Sequence, residues 1–355
     1  MRVSVIIPVY NAAAYVEHAV QSALDQPETG EVILVEDASA DDSLAVCQRL
    51  EQKHSLVRLV RHPGGQNRGA GASRNAGIQH SRFALIAFLD ADDYYLAQRF
   101  SFPIRMLEQN PSADGIYEAS QDFYDTEEIL QRHEKAGTRK VRLNTLRSPV
   151  PPEDLFRRMH LESIGHFWIC SMTLRARVFE SVGMFDESLP VAQDKVLIRK
   201  MAALCNLYAG RLDQPVVMRR VHRRNRVTGV SRSAKEWIRV RRQDWETMQA
   251  WGESRLNPNQ KQILLTHFMA RLNHGIRLHH PLAHFIPWQW LSVWTLISLG
   301  RDYPDLRRQR YYWRQFLRTC FLAVYPPHLI RGLWLSFRRS IARRVVAFPR
   351  STAKT

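Results

Sequence analysis

Cysteine is scarce in this chain: four residues among 355, Cys47, Cys170, Cys205 and Cys320, none in CxxC or CxxxH spacing. The scarcity excludes a disulfide framework and a structural zinc site, and it favours a reducing compartment. Long apolar runs are missing as well. The N-terminal run Val3–Val9 is interrupted at Ser4 and Pro8 and no small-residue cleavage site follows, so no secretory leader is expected and the chain is expected in the cytosol. Leu278 to Gly300 lacks Asp, Glu, Lys and Arg, but Pro281 and Pro287 divide it and leave too short an apolar stretch to span a bilayer. It reads as buried or interfacial. The third shortage is of acid. Residues 1–218 hold 24 Lys and Arg against 28 Asp and Glu, which leaves 27 and 6 of the chain's 51 and 34 to residues 219–355. The formal net charge of +17 therefore resides in the C-terminal third. Such a split marks a surface for an anionic partner, attached to a domain with other work.

What is present suits a folded protein: 45% hydrophobic and 24% charged residues exclude intrinsic disorder, and the length accommodates roughly two domains. The first 120 residues alternate apolar runs with helical spacing. Strands are expected at Val3–Val9, Val32–Val35, Val57–Val60 and Phe83–Leu89, with helices at Ala12–Leu24, about Asp41–Gln52 and Gly71–His80. Continuous apolar strands in βαβ order predict an α/β fold with a doubly wound, mostly parallel, Rossmann-like sheet. Ligands bind such sheets beyond the carboxyl ends of the strands. Polar residues follow those ends: Tyr10-Asn11, Glu36-Asp37-Ala38-Ser39 and Asp90-Ala91-Asp92-Asp93. Carboxylates gathered at one edge raise one another's pKa unless a cation intervenes, and a hard divalent ion, Mg²⁺ or Mn²⁺, takes oxygen ligands and bridges to phosphates. The structural alternative is that Asp37 and Asp92 cap helices.

These segments resemble the successive motifs of family 2 glycosyltransferases with the GT-A fold. The resemblance rests on Ser4-Val-Ile-Ile-Pro-Val-Tyr-Asn11, Val35-Glu-Asp-Ala-Ser39, Asn67–Gly77 and Phe88-Leu-Asp-Ala-Asp-Asp93, and it continues through Val182–Glu187, Gln193–Arg199 and Arg220–Asn225. It implies transfer of a sugar from a nucleoside diphosphate donor, UDP-linked in the first instance, to a hydroxyl with inversion. It places Pro8, Tyr10 and Asn11 in the nucleotide pocket, Asp37 at the base edge, Arg74 beside the donor, and Asp90 nearer the ribose and sugar. Asp92 or Asp93 would be the direct metal ligand, and His222 would contact phosphate or metal. Asp194 would be the general base of a single displacement; it would also suit a cap for the helix expected at Lys195–Leu204. Two departures stand out: the usual Asp-Asp-Gly-Ser reads Glu36-Asp37-Ala38-Ser39, where Ala replaces a residue that favours positive φ, and the usual Glu-Asp pair reads Gln193-Asp194.

The resemblance divides the chain into a catalytic part, 1–230, with a donor half at 1–120 and an acceptor half at 121–230, and a helical Trp- and Arg-rich extension, 231–355. Gln131 to Asp154 reads as a long polar connection suited to acceptor selection. Trp168 suits either stacking on a sugar or core packing. His279, His280 and His284 read as structural. In Leu333–Phe348, a stripe of Leu333, Phe337, Ile341, Val345 and Phe348 opposes Arg338, Arg339 and Arg343, the pattern of a helix lying on an anionic membrane. The expected partners are thus a nucleotide-sugar donor, a saccharide or lipid-linked acceptor for surface polysaccharide or lipopolysaccharide, and the cytosolic membrane face. The competing readings are a nucleic-acid-binding protein acting through the basic tail, disfavoured because no nucleic-acid motif appears, and a catalytically silent nucleotide-sugar-binding relative.

Overall fold

The computed structural model describes residues 1–135, 143–222, 234–279 and 310–324, with the single positions 293, 296, 297, 299, 301 and 307. The helix expected at Leu333–Phe348, and most of Leu278 to Gly300, lie outside the described residues. Two compact units are present: Met1–Ser233 with Arg242–Leu256, and Ala234–Arg241 with Asn257–Thr355.

In the first unit, β1 (Val3–Val9), β2 (Thr29–Glu36), β3 (Val57–Arg61) and β4 (Leu85–Phe88) pair in parallel; β1, β2 and β4 are built on continuous apolar runs, whereas β3, at the edge, carries Arg58 and Arg61 and is mostly half-buried. Helices α1 (Val16–Leu24), α2 (Ser43–Lys53) and α3 (Gly69–His80) connect them. β1 is central, with Val5 opposite Val32 on one side and Ala87 on the other. Helix α3 approaches it closely, and a Cβ on Gly77 would overlap the Ile6 side chain. Helix α1 starts at Val16 rather than Ala12 because the preceding turn is held from outside: Ala12 N–H donates to Ser43 Oγ at 2.8 Å and Ala13 N–H to Asp41 at 3.1 Å.

The chain then leaves the parallel order. Strand β5 (Tyr94–Tyr95) precedes α4 (Ser101–Gln109), β6 (Gly115–Tyr117), β7 (Ala119–Tyr124) and α5 (Glu127–Lys135). There follow β8 (Leu143–Asn144), α6 (Pro152–Leu161), β9 (Met172–Arg175), α7 (Val178–Val182), α8 (Gln193–Leu204), β10 (Leu207–Ala209) and β11 (Pro215–Val221). The large sheet runs β10-β6-β9-β4-β1-β2-β3, antiparallel only where β9 meets β4 and β6, and a smaller sheet runs β5-β11-β7-β8. The polar connection expected at Gln131 to Asp154 is therefore interrupted: α5 continues to Lys135, β8 intervenes, and α6 starts at Pro152, where proline suits a first helical turn. Beneath the sheet junction, the fully buried Arg99 pairs with Glu118 at 2.9 Å and donates to the Met172 carbonyl at 2.9 Å.

Helix α9 (Ala234–Gly252) returns to the first unit at its C-terminal end, where Arg199 pairs with Asp244 at 2.6 Å. In the second unit, α10 (Pro258–His279) and α11 (Arg310–Val324) meet through a polar seam, with Gln262 Nε2 donating to Gln315 Oε1 at 2.6 Å. Gln315 and Thr319 are buried, whereas Trp313 and Leu317 on α11 are 46% and 66% exposed. No helix among the described residues is long and apolar enough to cross a membrane. All four cysteines are free; Cys47, Cys170 and Cys205 are buried and Cys320 is half-buried. Burial pushes the Cys47 and Cys205 thiols up to about 12 and that of Cys170 well above its ordinary value.

Candidate functional site

The parallel register brings the ends of β1, β2 and β4 to one edge. Pro8 sits half-buried near the end of β1, Tyr10 just beyond it is 50% exposed, and Asn11 adopts φ 50. Asn11 Oδ1 accepts the Ala40 N–H at 2.8 Å, and its own N–H donates to Ser39 Oγ at 3.0 Å, so the turns after β1 and β2 are one hydrogen-bonded surface. Ala38 takes φ 56 despite its Cβ. Glu36 helps to hold it there: one carboxylate oxygen accepts the Ser39 N–H at 2.6 Å and the other meets Arg61 Nε at 3.2 Å.

Asp37 is buried and caps a helix other than the one that follows it. Its carboxylate accepts the Arg68 and Gly69 N–H groups at 2.7 and 2.8 Å, at the start of α3. A carboxylate at that position also favours the helix dipole. Among the described residues no helix starts at Asp92; β5 follows it, and the next helix begins at Ser101. Asp90, 41% exposed at its side chain, accepts Arg74 Nη2 at 2.6 Å. Burial opposes the charge of Arg74, but Asp90 and Asp194 together raise its pKa above the ordinary arginine value. The guanidinium also lies over Phe185, 5.4 Å from the ring centre.

Asp92 Oδ2 faces His222 Nε2 at 3.0 Å. A carboxylate oxygen and an imidazole nitrogen suit Mn²⁺ better than Mg²⁺. Among the described residues no group of three or more acidic, His or Cys side chains converges on one point. A cation there would therefore take most of its ligands from a bound phosphate and water, and the two residues fit it on those terms. Asp93 points inward instead: it is buried, Oδ1 accepts the Arg220 N–H at 2.8 Å, and Oδ2 has no hydrogen-bond partner among the described residues. Burial first, then the charges of Asp92 and Asp90, push its carboxyl well above the usual range.

Asp194 lies in the first turn of α8, half-buried and without a hydrogen bond to any described residue. The helix N-cap is Ala192 at φ 64, so Asp194 is not the cap. Its neighbour Gln193 packs against Gly71: a Cβ there would come within 3.0 Å of the Gln193 side chain, so the N-terminal turns of α3 and α8 touch. Trp168 is half-buried against the core, with Arg219 over its ring at 4.5 Å and Lys195 at 5.4 Å.

Several residues that shape this site carried no role in the sequence reading. Asn75 donates to the Phe185 carbonyl and to Glu187 Oε1, both at 2.9 Å, while Arg68 meets Glu187 Oε2 at 2.9 Å. Those contacts join two motifs distant in sequence. The Tyr15 ring lies tilted to that of His222 at 5.2 Å between centres and 5.0 Å from the Arg220 guanidinium. Asn75 and Glu187 stood inside the quoted motifs; no sequence signal marked Tyr15.

The family model described as Glycosyl transferase family 2 matches residues 4–183. An uncharacterized glycosyltransferase of Rickettsia felis is 30% identical over 193 residues, which cover 54% of this chain and 30% of that protein. The succinoglycan biosynthesis protein ExoU of Rhizobium meliloti is 40% identical over 97 residues, 27% of this chain and 28% of that protein. The chain thus spans about a third of the first relatives it matches. Among solved structures, S. aureus TarS superposes with a TM-score of 0.57 at 16% identity, covering 90% of this chain and 54% of that one. Its residues 1–349 in complex with UDP-GlcNAc give 0.54 at 15% identity, covering 90% of each chain. These two likenesses show the fold, a GT-A sheet, and the fold alone.

Proposed function

This chain belongs to glycosyl transferase family 2, and on that premise we propose that it transfers a sugar from a UDP-sugar to a hydroxyl of a saccharide or lipid-linked glycan. The setting is surface polysaccharide or lipopolysaccharide assembly. One observation carries the reading: an acidic pair-forming edge, Asp90 with Arg74 and Asp92 with His222, stands beside a half-buried carboxylate, Asp194, in the first turn of α8 and within electrostatic reach of Arg74. ExoU, named for succinoglycan biosynthesis, and TarS, crystallised with UDP-GlcNAc, support the substrate class.

Residues 1–230 supply the chemistry. Tyr10 and Asn11 with the Glu36–Ser39 turn receive the nucleoside; Asp37 acts by holding the α3 N-terminus at that pocket. Arg74 holds Asp90 in place and offers positive charge to the donor. Asp92 and His222 would hold the divalent cation, Mn²⁺ or Mg²⁺, which when bound offsets the charge on the departing diphosphate. Asp194 accepts the proton of the acceptor hydroxyl as that oxygen attacks the anomeric carbon from the face opposite the leaving group, giving inversion. The test is UDP release across a panel of UDP-, GDP- and dTDP-sugars with Mn²⁺ or Mg²⁺. Asp194→Asn is expected to cut kcat by about 10²–10⁴, the span of general-base catalysis, while UDP binding persists. Full activity in Asp194→Asn or Asp92→Ala sinks the mechanism.

Residues 231–355 would hold the catalytic part at an anionic membrane surface. Helix α11 supports this: it buries Gln315 and Thr319 and exposes Trp313 and Leu317, and its sequence has Arg310, Arg314 and Arg318 with no acid. Exposed aromatic and aliphatic groups beside arginines suit the headgroup region better than water.

A further inference from the structure

The third carboxylate behind β4 has a different environment from the other two. The side chains of Asp90 and Asp92 are 41% and 27% exposed; Asp93 is shut in, with its Oδ1 on the Arg220 N–H at 2.8 Å. Arg220 answers in the other direction. Its Nε donates to the Asp92 carbonyl at 3.0 Å, and its Nη1 meets Asp125 at 2.5 Å. Its guanidinium lies over Phe123 at 4.6 Å and Tyr15 at 5.0 Å. Two residues further along the same extended chain, where side chains return to the same face, the His222 ring lies tilted against that same Tyr15 at 5.2 Å. The turn bearing Asp92 and strand β11, which His222 directly follows, are thus tied twice through Arg220, once at each end of the Asp92–Asp93 pair.

We propose that Asp93 is a positioning residue and not a cation ligand: it latches the turn after β4 to β11 through Arg220, and so sets His222 Nε2 against Asp92 Oδ2. The cation part of this inference rests on the reading of Asp92 and His222 given above; the latch itself does not. Asn in place of Asp93 keeps an acceptor for the Arg220 N–H, whereas Leu keeps the bulk and removes the acceptor.

The full chain is compared with Asp93→Asn, Asp93→Leu and Asp92→Asn, each first checked for native circular dichroism. The first readout needs no metal: the His222 imidazole resonance at fixed pH, assigned by its loss in His222→Gln and shifted by the Tyr15 ring. It is expected unchanged in Asp93→Asn and displaced toward the free-histidine position in Asp93→Leu. The second is Mn²⁺ titration by electron paramagnetic resonance with UDP present. Asp93→Leu is expected to weaken Mn²⁺ binding by about 10–100-fold, the usual effect of losing a supporting partner, and Asp93→Asn by less than about tenfold. An unmoved His222 resonance in Asp93→Leu overturns the latch. Loss of Mn²⁺ in Asp93→Asn equal to that in Asp92→Asn overturns it too, because Asp93 is then a ligand. A wild-type chain that binds no Mn²⁺ instead defeats the metal reading of Asp92 and His222, leaving the resonance to decide the latch.

Discussion

At the scale of single residues, neighbouring acids do unlike work because their surroundings differ. Asp90 and Asp92 meet cations or an imidazole at the open edge, while Asp93 faces inward. Glu118 is the extreme case, fully buried between Arg99 and Arg211 at 2.9 and 2.7 Å. Arg99→Met leaves Glu118 with Arg211 alone and takes the Arg99 donors from Thr173 and from the Cys170 and Met172 carbonyls, so it is expected to cost about 3–5 kcal/mol in urea denaturation. A loss below about 1 kcal/mol, the worth of an exposed pair, would mean that solvent reaches the pair. Residue identity was legible where it lay within a motif: Asp92 and His222, 130 positions apart, were both singled out and are paired. Orientation was not legible. Nothing in Asp-Ala-Asp-Asp tells which carboxylate turns inward, since that depends on β5 pairing with Met218 and Val217 of a strand far along the chain.

Among the elements, the parallel strands β1, β2 and β4 followed from their apolar runs, because a strand covered on both faces has little room for polar side chains. The smaller sheet did not, since β5 and β8 are two-residue strands formed by tertiary pairing rather than by local pattern. At the site, α3 and α8 touch through Gly71 and Gln193. Valine at Gly71 would drive into Gln193, and the expected outcome is a fall in kcat larger than any rise in KM for the donor, since α8 carries Asp194. Equal rates in wild type and Gly71→Val would show the two helices to be independent. For α11, Leu317→Glu is expected to lower recovery with phosphatidylserine vesicles in cosedimentation, while Gln315→Glu, on the buried side, is expected to disturb the helix pair itself. Vesicle recovery unaffected by Leu317→Glu, or a change in solution mass instead, would assign that face to a protein partner.

For the whole molecule, charge and chemistry are separated along the sequence. Residues 1–218 are slightly acidic, and the excess of arginine falls after them. An attachment that depends on such an excess weakens as salt screens it, so vesicle binding is expected to fall steeply between about 0.05 and 0.5 M salt, where the Debye length shrinks well below 10 Å. UDP release from the donor on transfer to a water-soluble acceptor should change far less over that range, and parallel losses in both would tie the charge to catalysis. The cysteines provide the means of watching this. Burial that pushes Cys47, Cys170 and Cys205 far from the thiolate form also withholds them from alkylation, whereas Cys320 is half-buried on α11 itself. A maleimide dye added to the native protein should therefore report from one address, and its quenching depth in a bilayer would be read without a single engineered residue.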